Sequence, residues 1–275
     1  MNRYMRLMAT VILLMLTSWR SSNAQDGLKG LVVEKYYVTD SSDARLSKTK
    51  NLPEGSVTYR VFVDMKPGYQ FQACFGSDGH PLKISTTTSF YNHPVYGNNI
   101  ATLIYDATLS GGTCMLDSWL STGAASAVHY GIMKADDDTL GTIINALGAL
   151  KNHDETTGLP INTHDGLLRV TPGTPVPKVT AMGIDELLDA LKSTESSSNG
   201  FEFKTENGTW ACMGGSSLER NGSNSVLIGQ FTTSGVFSFQ LNIQLGKPGG
   251  GFEQYVASDP DPGQFVSPTL RFTSR

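Results

Sequence analysis

The sequence predicts an all-β protein, mostly an antiparallel β-sandwich, with a small mixed or helical insertion. Apolar and polar residues alternate over 58–65 and again over 237–245, and this two-residue period is that of strands with one buried face. Two strand-rich blocks, 31–135 and 200–275, flank a middle with mixed signals. One two-layer sandwich that draws strands from both blocks is the simplest way to give each apolar face a partner. Two separate sandwiches are the alternative.

Residues 1–24 are predicted to be a signal peptide. A basic start precedes the apolar core at 7–16, and small residues at 22–24 suit cleavage. The core is shorter than the roughly 20 residues that cross a bilayer, although an uncleaved anchor over 1–19 is the alternative. We therefore expect a secreted, extracellular or periplasmic protein with no transmembrane segment after signal removal, and with 25–275 as the β-sandwich domain.

The first strand-rich block predicts a β-meander. Residues 31–39 are dense in β-branched and aromatic side chains and are expected to form the first strand. The alternating run at 58–65 stops at the turn signal 66–68, and a second alternating run follows at 69–75. A third run at 82–86 completes the predicted meander.

The insertion is expected at about 136–199, and strands return after it. Within it, residues 185–191 predict a short helix, because acidic residues lie in its first turn and its leucines share one side. Residues 226–232 read as a buried strand, and 237–245 give the clearest alternation in the chain, with an apolar face and an amide-rich face.

Composition disfavours one class of partner. The formal net charge is −4 at pH 7, and no basic stripe with interleaved aromatic residues occurs. Nucleic acid is therefore not an expected partner. Low charge together with many Gly, Ser and Thr residues is typical of extracellular β proteins.

Three cysteines, Cys74, Cys114 and Cys212, make an odd count for a protein in an oxidising compartment. A single disulfide is open to any of three pairings and leaves one thiol over, and three inert thiols are the other interpretation. No Cys/His signature that would activate a thiol surrounds any of them. The sequence therefore predicts no catalytic cysteine.

Several motifs follow one another in a characteristic order along the chain: TYRVFVDM, a glycine-containing turn, PLKISTTTSFYN, LDSWLSTG, NGTWACMGG and VLIGQFTTSGVFSFQLNIQ. In this order the chain resembles a family of secreted bacterial β-rich proteins of unassigned function, over most of the mature length. Ser121 and Gly229 depart from the family pattern. The resemblance implies an exported β-rich domain and assigns no activity, cofactor or catalytic residue.

Asp117 and Trp119 are the candidate glycan-binding residues. A carboxylate beside an aromatic ring suits a sugar, which the ring stacks against and the carboxylate hydrogen-bonds. The alternative is that Trp119 anchors the core and Asp117 caps a turn, and the apolar neighbours Met115, Leu116 and Leu120 favour it.

Asp136 and Asp138 are the candidate metal ligands. Together with Asp137 they form an acidic run that could supply the hard oxygen ligands that calcium prefers. A solvated acidic turn is the favoured alternative, because no EF-hand spacing is present. No other cofactor is expected.

The expected function is non-catalytic. We expect a binding or structural surface-layer protein whose partners are glycans, matrix or surface proteins, bound through an exposed polar sheet face or the insertion. The alternative is an extracellular hydrolase of polysaccharides that uses two of Asp64, Asp117, Glu202 and Glu253. Such an enzyme needs two carboxyls roughly 5 Å apart for retaining chemistry, or further apart for inverting chemistry.

Overall fold

A computed structural model describes residues 27–47, 49, 51–110, 112–137, 150–151 and 154–275. The predicted signal peptide at 1–24 lies outside the described residues. The described chain forms eighteen β-strands: β1 (Leu28–Val38), β2 (Val57–Met65), β3 (Gln70–Phe75), β4 (Leu82–Thr86), β5 (Trp119–Leu120), β6 (Ala124–Ser126), β7 (His129–Gly131), β8 (Leu167–Arg169), β9 (Val179–Met182), β10 (Phe201–Thr205), β11 (Thr209–Ser216), β12 (Glu219–Arg220), β13 (Ser223–Thr233), β14 (Phe237–Gln240), β15 (Ile243–Gly246), β16 (Phe252–Val256), β17 (Gln264–Val266) and β18 (Arg271–Thr273).

The described helices are short: α1 (Ser41–Ser47), α2 (Asp106–Leu109) and α3 (Asp185–Lys192). Helix α3 confirms the helix predicted at 185–191, and it buries Leu187 and Leu191 while its first turn is acidic. None of the helices in the described part of the chain is long and apolar enough to span a membrane.

The strands form four sheets. The central sheet has the order β1-β2-β13-β12, with β5 also paired to β13, and the four-stranded sheet has the order β10-β4-β14-β18. The six-stranded sheet has the order β17-β16-β15-β3-β11-β9, and β6-β7-β8 form a small sheet. Apart from the parallel β16/β17 pair, the described strand pairs are antiparallel, which confirms the predicted, mostly antiparallel, sandwich-like fold.

The main hydrophobic core lies between the central sheet and the inner faces of the four- and six-stranded sheets. Val61 and Val63 project into it from β2, Phe239 from β14, and Phe71 and Ile243 from the six-stranded sheet. Burying one such aliphatic or aromatic side chain contributes about 1.5–3 kcal/mol. The alternation that predicted strands at 58–65 and 237–245 therefore identified their core-facing residues.

The other face of the central sheet is also buried, which corrects the prediction that β2 is a half-buried strand. Arg60 is 1% exposed, and its guanidinium lies 3.6 Å from the centre of the Tyr36 ring. Its Nε donates to Gln230 Oε1 at 2.8 Å. Lys134 is also buried and donates through Nζ to three backbone carbonyls. Because the segment that follows β4 covers this face, the charge of Arg60, which the alternation assigned to solvent, is instead buried and hydrogen-bonded.

The predicted meander is wrong. Strand β2 joins the central sheet, β3 the six-stranded sheet and β4 the four-stranded sheet. The turn at 66–68 is closed by a hydrogen bond from the Tyr69 N–H to the Lys66 carbonyl at 3.3 Å, but the strands on either side of it do not pair with each other. The buried Asn224 side chain also donates through Nδ2 to the carbonyls of Lys66 and Tyr69 at 3.1 and 2.9 Å, and β3 continues into the six-stranded sheet.

A corner also divides the alternating run at 237–245. Its first half is β14 in the four-stranded sheet, and its second half is β15 in the six-stranded sheet. Asn242, which is fully buried, stands between them and donates through Nδ2 to the carbonyls of Phe75 and His80 at 3.0 and 2.8 Å. One continuous period in the sequence therefore supplies two different sheets.

The three cysteines are free and buried. Burial raises the pKa of the Cys74, Cys114 and Cys212 thiols above the ordinary value. A thiol that is held protonated is a poor nucleophile.

Candidate functional site

A second hydrophobic core lies on the other face of the central sheet and includes Trp119, Phe62 and Tyr36. The structure places Asp117 and Trp119 in this second core. They are 0% and 2% exposed, so neither side chain lies at the surface of the described molecule. Asp117 Oδ1 accepts a hydrogen bond from the His93 backbone N–H at 2.6 Å, and Oδ2 accepts one from Cys114 Sγ at 3.4 Å. Burial raises the pKa of Asp117 well above its ordinary value. These contacts fit the core-anchor and turn-cap alternative.

The proposed calcium ligands are only partly described. Asp136 lies in a 3₁₀ turn at Lys134–Asp136, whereas Asp138 lies outside the described residues. Within the described ranges, no group of three or more His, Cys, Asp or Glu residues is arranged to hold a metal ion.

The four carboxylates considered for hydrolysis lie in different parts of the fold. Asp64 forms an ion pair with Lys29 at 3.3 Å. Glu253 is buried, and its Oε2 accepts a hydrogen bond from the Gly27 backbone N–H at 3.1 Å. Asp117 lies in the second core, and Glu202 is exposed on β10. Among the described residues, no two of these four carboxylates share a hydrogen bond.

One histidine has both a serine and a carboxylate beside it, a set that the sequence did not single out. Ser126 Oγ lies 2.9 Å from His129 Nδ1, and Asp106 Oδ1 lies 3.1 Å from the same nitrogen. A catalytic triad needs the nucleophile and the carboxylate on opposite ring nitrogens. Because both partners here meet Nδ1, this cluster lacks the geometry that activates a serine.

The outer face of the four-stranded sheet is polar. Alternation along its strands turns Ile84, Phe203 and Phe239 inward and leaves two rows of polar side chains outside. Strand register defines the rows: Glu202, Ser85, Ser238 and Thr273 form the first, and Lys204, Lys83, Gln240 and Arg271 form the second.

Two shallow cavities run along this face. One has a volume of about 230 Å³ and is lined by Lys83, Gln240 and Arg271, among others. The second has a volume of about 360 Å³ and extends toward the 199–201 segment. Both are lined by Ser85, Glu202 and Ser238, so together they form one elongated depression, here called the charged groove.

The charged groove carries more positive than negative charge. Lys83 and Arg271 line it together with a single carboxylate, that of Glu202, whereas Lys204, beside Lys83 in the second row, is paired with Glu206 at 3.9 Å. Arg271 is positioned by hydrogen bonds to Gln240 Oε1 at 3.1 Å and Ser258 Oγ at 2.8 Å. Within the described chain, the charged groups of Lys83 and Glu202 form no hydrogen bond or ion pair. The groove is therefore a locally cationic surface on an acidic chain.

Sequence reasoning anticipated an exposed polar sheet face but not its location. The signal was the alternation of polar residues at positions such as 83 and 85, or 238 and 240. This alternation does not indicate which strands lie side by side, because β4 pairs with strands more than 100 residues away in the chain.

Comparisons with protein-family models, with curated proteins and with solved structures find no match for this chain. The resemblance to secreted bacterial β-rich proteins therefore stays a prediction.

Proposed function

We propose that the protein acts outside the cell as a non-catalytic binding protein and that its charged groove holds an acidic glycan. The observation that carries the proposal is the pair of groove-lining cations, Lys83 and Arg271, on the outer face of the four-stranded sheet, with Lys204, which is paired with Glu206, one strand further along. The predicted export signal supports an extracellular or periplasmic location. Surface or matrix components that carry such glycans are the implied partners, and holding them is how the protein contributes to an extracellular layer.

The spacing of the cations suits a polymer. Neighbouring strands lie about 4.8 Å apart, so Lys204 and Lys83 are one strand apart. Arg271 lies two strands beyond Lys83, at roughly 10 Å. A chain of uronic acids carries a carboxylate on each sugar, so several carboxylates can meet several cations at once. Hydrogen bonds between such charged groups are stronger than those between neutral groups.

The hydroxyl row beside the cations provides contacts for the sugar rings. Ser85 Oγ and Ser238 Oγ lie 2.8 Å apart, and each hydroxyl keeps capacity to donate or accept another hydrogen bond. The unpaired Glu202 carboxylate is an acceptor for sugar hydroxyls. It also repels an anionic group, so it favours ligand orientations that keep the carboxylates on the Lys83 side.

The affinity for a single acidic sugar is expected to be low. Each exposed ion pair contributes only about 0.2–1 kcal/mol, so tight binding requires several pairs on one polymer. The groove supplies one carboxylate in its two rows, whereas hydrolysis of a glycosidic bond by the common mechanism uses a pair. This difference supports binding without turnover.

The test measures binding of the mature chain to polygalacturonate and to an uncharged polysaccharide by isothermal titration calorimetry. We expect binding of the acidic polymer, tighter binding of longer than of shorter oligogalacturonates, and no release of reducing ends. The Lys83→Gln/Arg271→Gln double variant should weaken acidic binding by about twofold to thirtyfold, because two exposed ion pairs worth about 0.4–2 kcal/mol together are lost and 1.4 kcal/mol corresponds to tenfold.

The matched control is the Lys178→Gln/Lys192→Gln variant, which removes the same charge from exposed positions away from the groove. It should bind like the wild type. An equal loss in both variants would mean that net charge, and not the groove, attracts the polymer. Turnover of the polymer, or failure of the wild type to bind any acidic glycan, would contradict the proposal.

A further inference from the structure

The outer face of the six-stranded sheet carries a second, chemically different surface. Gln72, Gln244, Gln254 and Gln264 come from the four neighbouring strands β3, β15, β16 and β17, and their side chains form a continuous hydrogen-bonded row. Gln244 Nε2 donates to Gln72 Oε1 at 2.9 Å, Gln254 Nε2 to Gln244 Oε1 at 3.1 Å, and Gln264 Nε2 to Gln254 Oε1 at 3.5 Å. This row is called the amide ladder.

The ladder is fixed in place by the backbone beneath it. A Cβ on Gly246 would lie 2.6 Å from Gln72 Nε2, so the glycine leaves the space through which the Gln72 amide reaches β15. A register shift between β15 and β3 lies at the same point. At the other end, Gln264 Oε1 accepts the backbone N–H of Asp261 at 3.0 Å. The amides are therefore held in order before any ligand arrives.

The ladder leaves unused hydrogen-bonding capacity at a regular interval. A side-chain amide has two N–H donors and an oxygen with two lone pairs. Each bond within the ladder uses one donor hydrogen and one lone pair. Gln244 and Gln254 therefore each keep one free N–H donor and one free oxygen lone pair. Because the strands are about 4.8 Å apart, this donor and acceptor pair repeats at close to the length of one pyranose ring.

The surrounding sheet is uncharged. The six strands together contain one charged residue, Glu253, and its side chain is buried on the inner face. Phe252, two residues before Gln254, is 57% exposed, and Val266, two residues after Gln264, is 50% exposed. A neutral ligand that has both hydroxyl groups and apolar C–H surfaces matches this combination.

We propose that the amide ladder binds an extended, uncharged polysaccharide, which lies along the ladder and across the strands. Its hydroxyl groups pair with the free donors and acceptors of Gln244 and Gln254, and one sugar ring packs on Phe252. This site goes beyond the charged groove and does not depend on it, because the two lie on different sheets and use different chemistry.

The test measures binding of the mature chain to soluble xylan and to mixed-linkage β-glucan, both uncharged, by affinity electrophoresis and calorimetry. The Gln244→Ala/Gln254→Ala variant should weaken binding about tenfold, as two hydrogen bonds are lost. Gln254→Glu keeps the size of the side chain but cannot donate to Gln244, and it should weaken binding several-fold. Gln70→Ala, an exposed glutamine outside the ladder, is the matched control and should bind like the wild type.

Three outcomes would overturn the inference. The first is that the wild type binds neither neutral polymer. The second is that both ladder variants, folded like the wild type by circular dichroism, bind as well as the wild type. The third is that the wild type is a dimer in light scattering and the ladder variants are monomers, since the ladder would then pair with a second copy. The Lys83→Gln/Arg271→Gln variant should keep neutral binding, so failure at one site is distinguishable from failure at the other.

Discussion

The charged groove and the amide ladder are outer faces of sheets that share one hydrophobic core, yet they present different chemistry. The groove is lined by two cations and one carboxylate, whereas the strands of the six-stranded sheet contain a single charged residue, which is buried. Gln240 belongs to the groove and Gln244 to the ladder, and the corner at Asn242 separates them. The comparison teaches that one alternating run can supply two surfaces when the chain turns from one sheet into another.

Removing the corner should have the largest effect and should break both faces together. In Asn242→Ala, the carbonyls of Phe75 and His80 lose their buried donor. We expect the free energy of unfolding to fall by about 1–3 kcal/mol, because two buried hydrogen bonds are lost, while the His80 carbonyl still accepts the Ser77 N–H at 3.0 Å. Urea denaturation measures this change. Asn199→Ala, at an exposed position, should change stability by less than about 0.5 kcal/mol, and an equal loss in the two variants would refute the role of the corner.

Raising the salt concentration should weaken binding at the groove at least about fivefold more than binding at the ladder. The Debye length falls from about 30 Å at 0.01 M salt to about 3 Å at 1 M, so ion pairs in the groove weaken while amide hydrogen bonds do not. We expect the dissociation constant for polygalacturonate to rise at least tenfold from 20 mM to 500 mM sodium chloride, and that for xylan to change less than about twofold. Calorimetry at both salt concentrations checks this. Parallel losses at the two faces would remove the chemical distinction between them.

Asp117, unlike the side chains of the groove and the ladder, is a buried carboxyl, so it should affect stability and not glycan binding. Its pKa is raised above the ordinary 3.8 by burial, so the folded state binds the proton more tightly than the unfolded state does. Stability is therefore greatest below pH 3.8 for this group and declines as pH rises toward the folded pKa, by about 1.4 kcal/mol for each pH unit between the two pKa values.

The Asp117→Asn variant should remove that decline, because the amide keeps an oxygen for the His93 N–H and has no proton to lose. Urea unfolding from pH 4 to pH 8 measures it. Both glycan affinities should stay within about twofold of the wild type, a change of less than 0.5 kcal/mol. A large loss of either affinity would restore Asp117 as a ligand residue.

Gly246→Ala should give the smallest effect and should affect the ladder alone. The added methyl group displaces the flexible end of Gln72, so one end of the ladder opens while Gln244 and Gln254 remain. We expect a twofold to threefold weaker affinity for xylan and an unchanged affinity for polygalacturonate, as measured by calorimetry. A change in acidic binding would indicate that the two faces are mechanically linked.

The sequence predicted local structure well and pairing poorly. The period of two identified the core residues of β2 and β14, and the acidic start with spaced leucines identified α3, because these signals depend on neighbours in the chain. The fate of Arg60 could not be predicted in this way. Its partner Gln230 lies 170 residues away, and a strand that is buried on both faces has the same period as one with a solvent face.

The candidate sites were predictable only as types of surface. Polar residues at alternate positions indicated exposed faces, and the amide-rich side of 237–245 was visible in the sequence. That Gln244 lies beside Gln72 could not be predicted, because the two residues are 172 positions apart and only the strand register brings them together. The same holds for Lys83 and Arg271, whose strands lie in different strand-rich blocks. Residues 1–24 and Asp138 lie outside the described residues, so the predicted signal and the calcium ligand remain predictions.

Simultaneous binding tests the central claim, that two faces hold two different glycans independently, most directly. The mature chain is saturated with xylan oligosaccharide and then titrated with oligogalacturonate in a calorimeter. The account predicts the same dissociation constant for the acidic ligand with and without the neutral one, and a stoichiometry of one for each. Displacement of one ligand by the other would show that they share a site and would contradict the account.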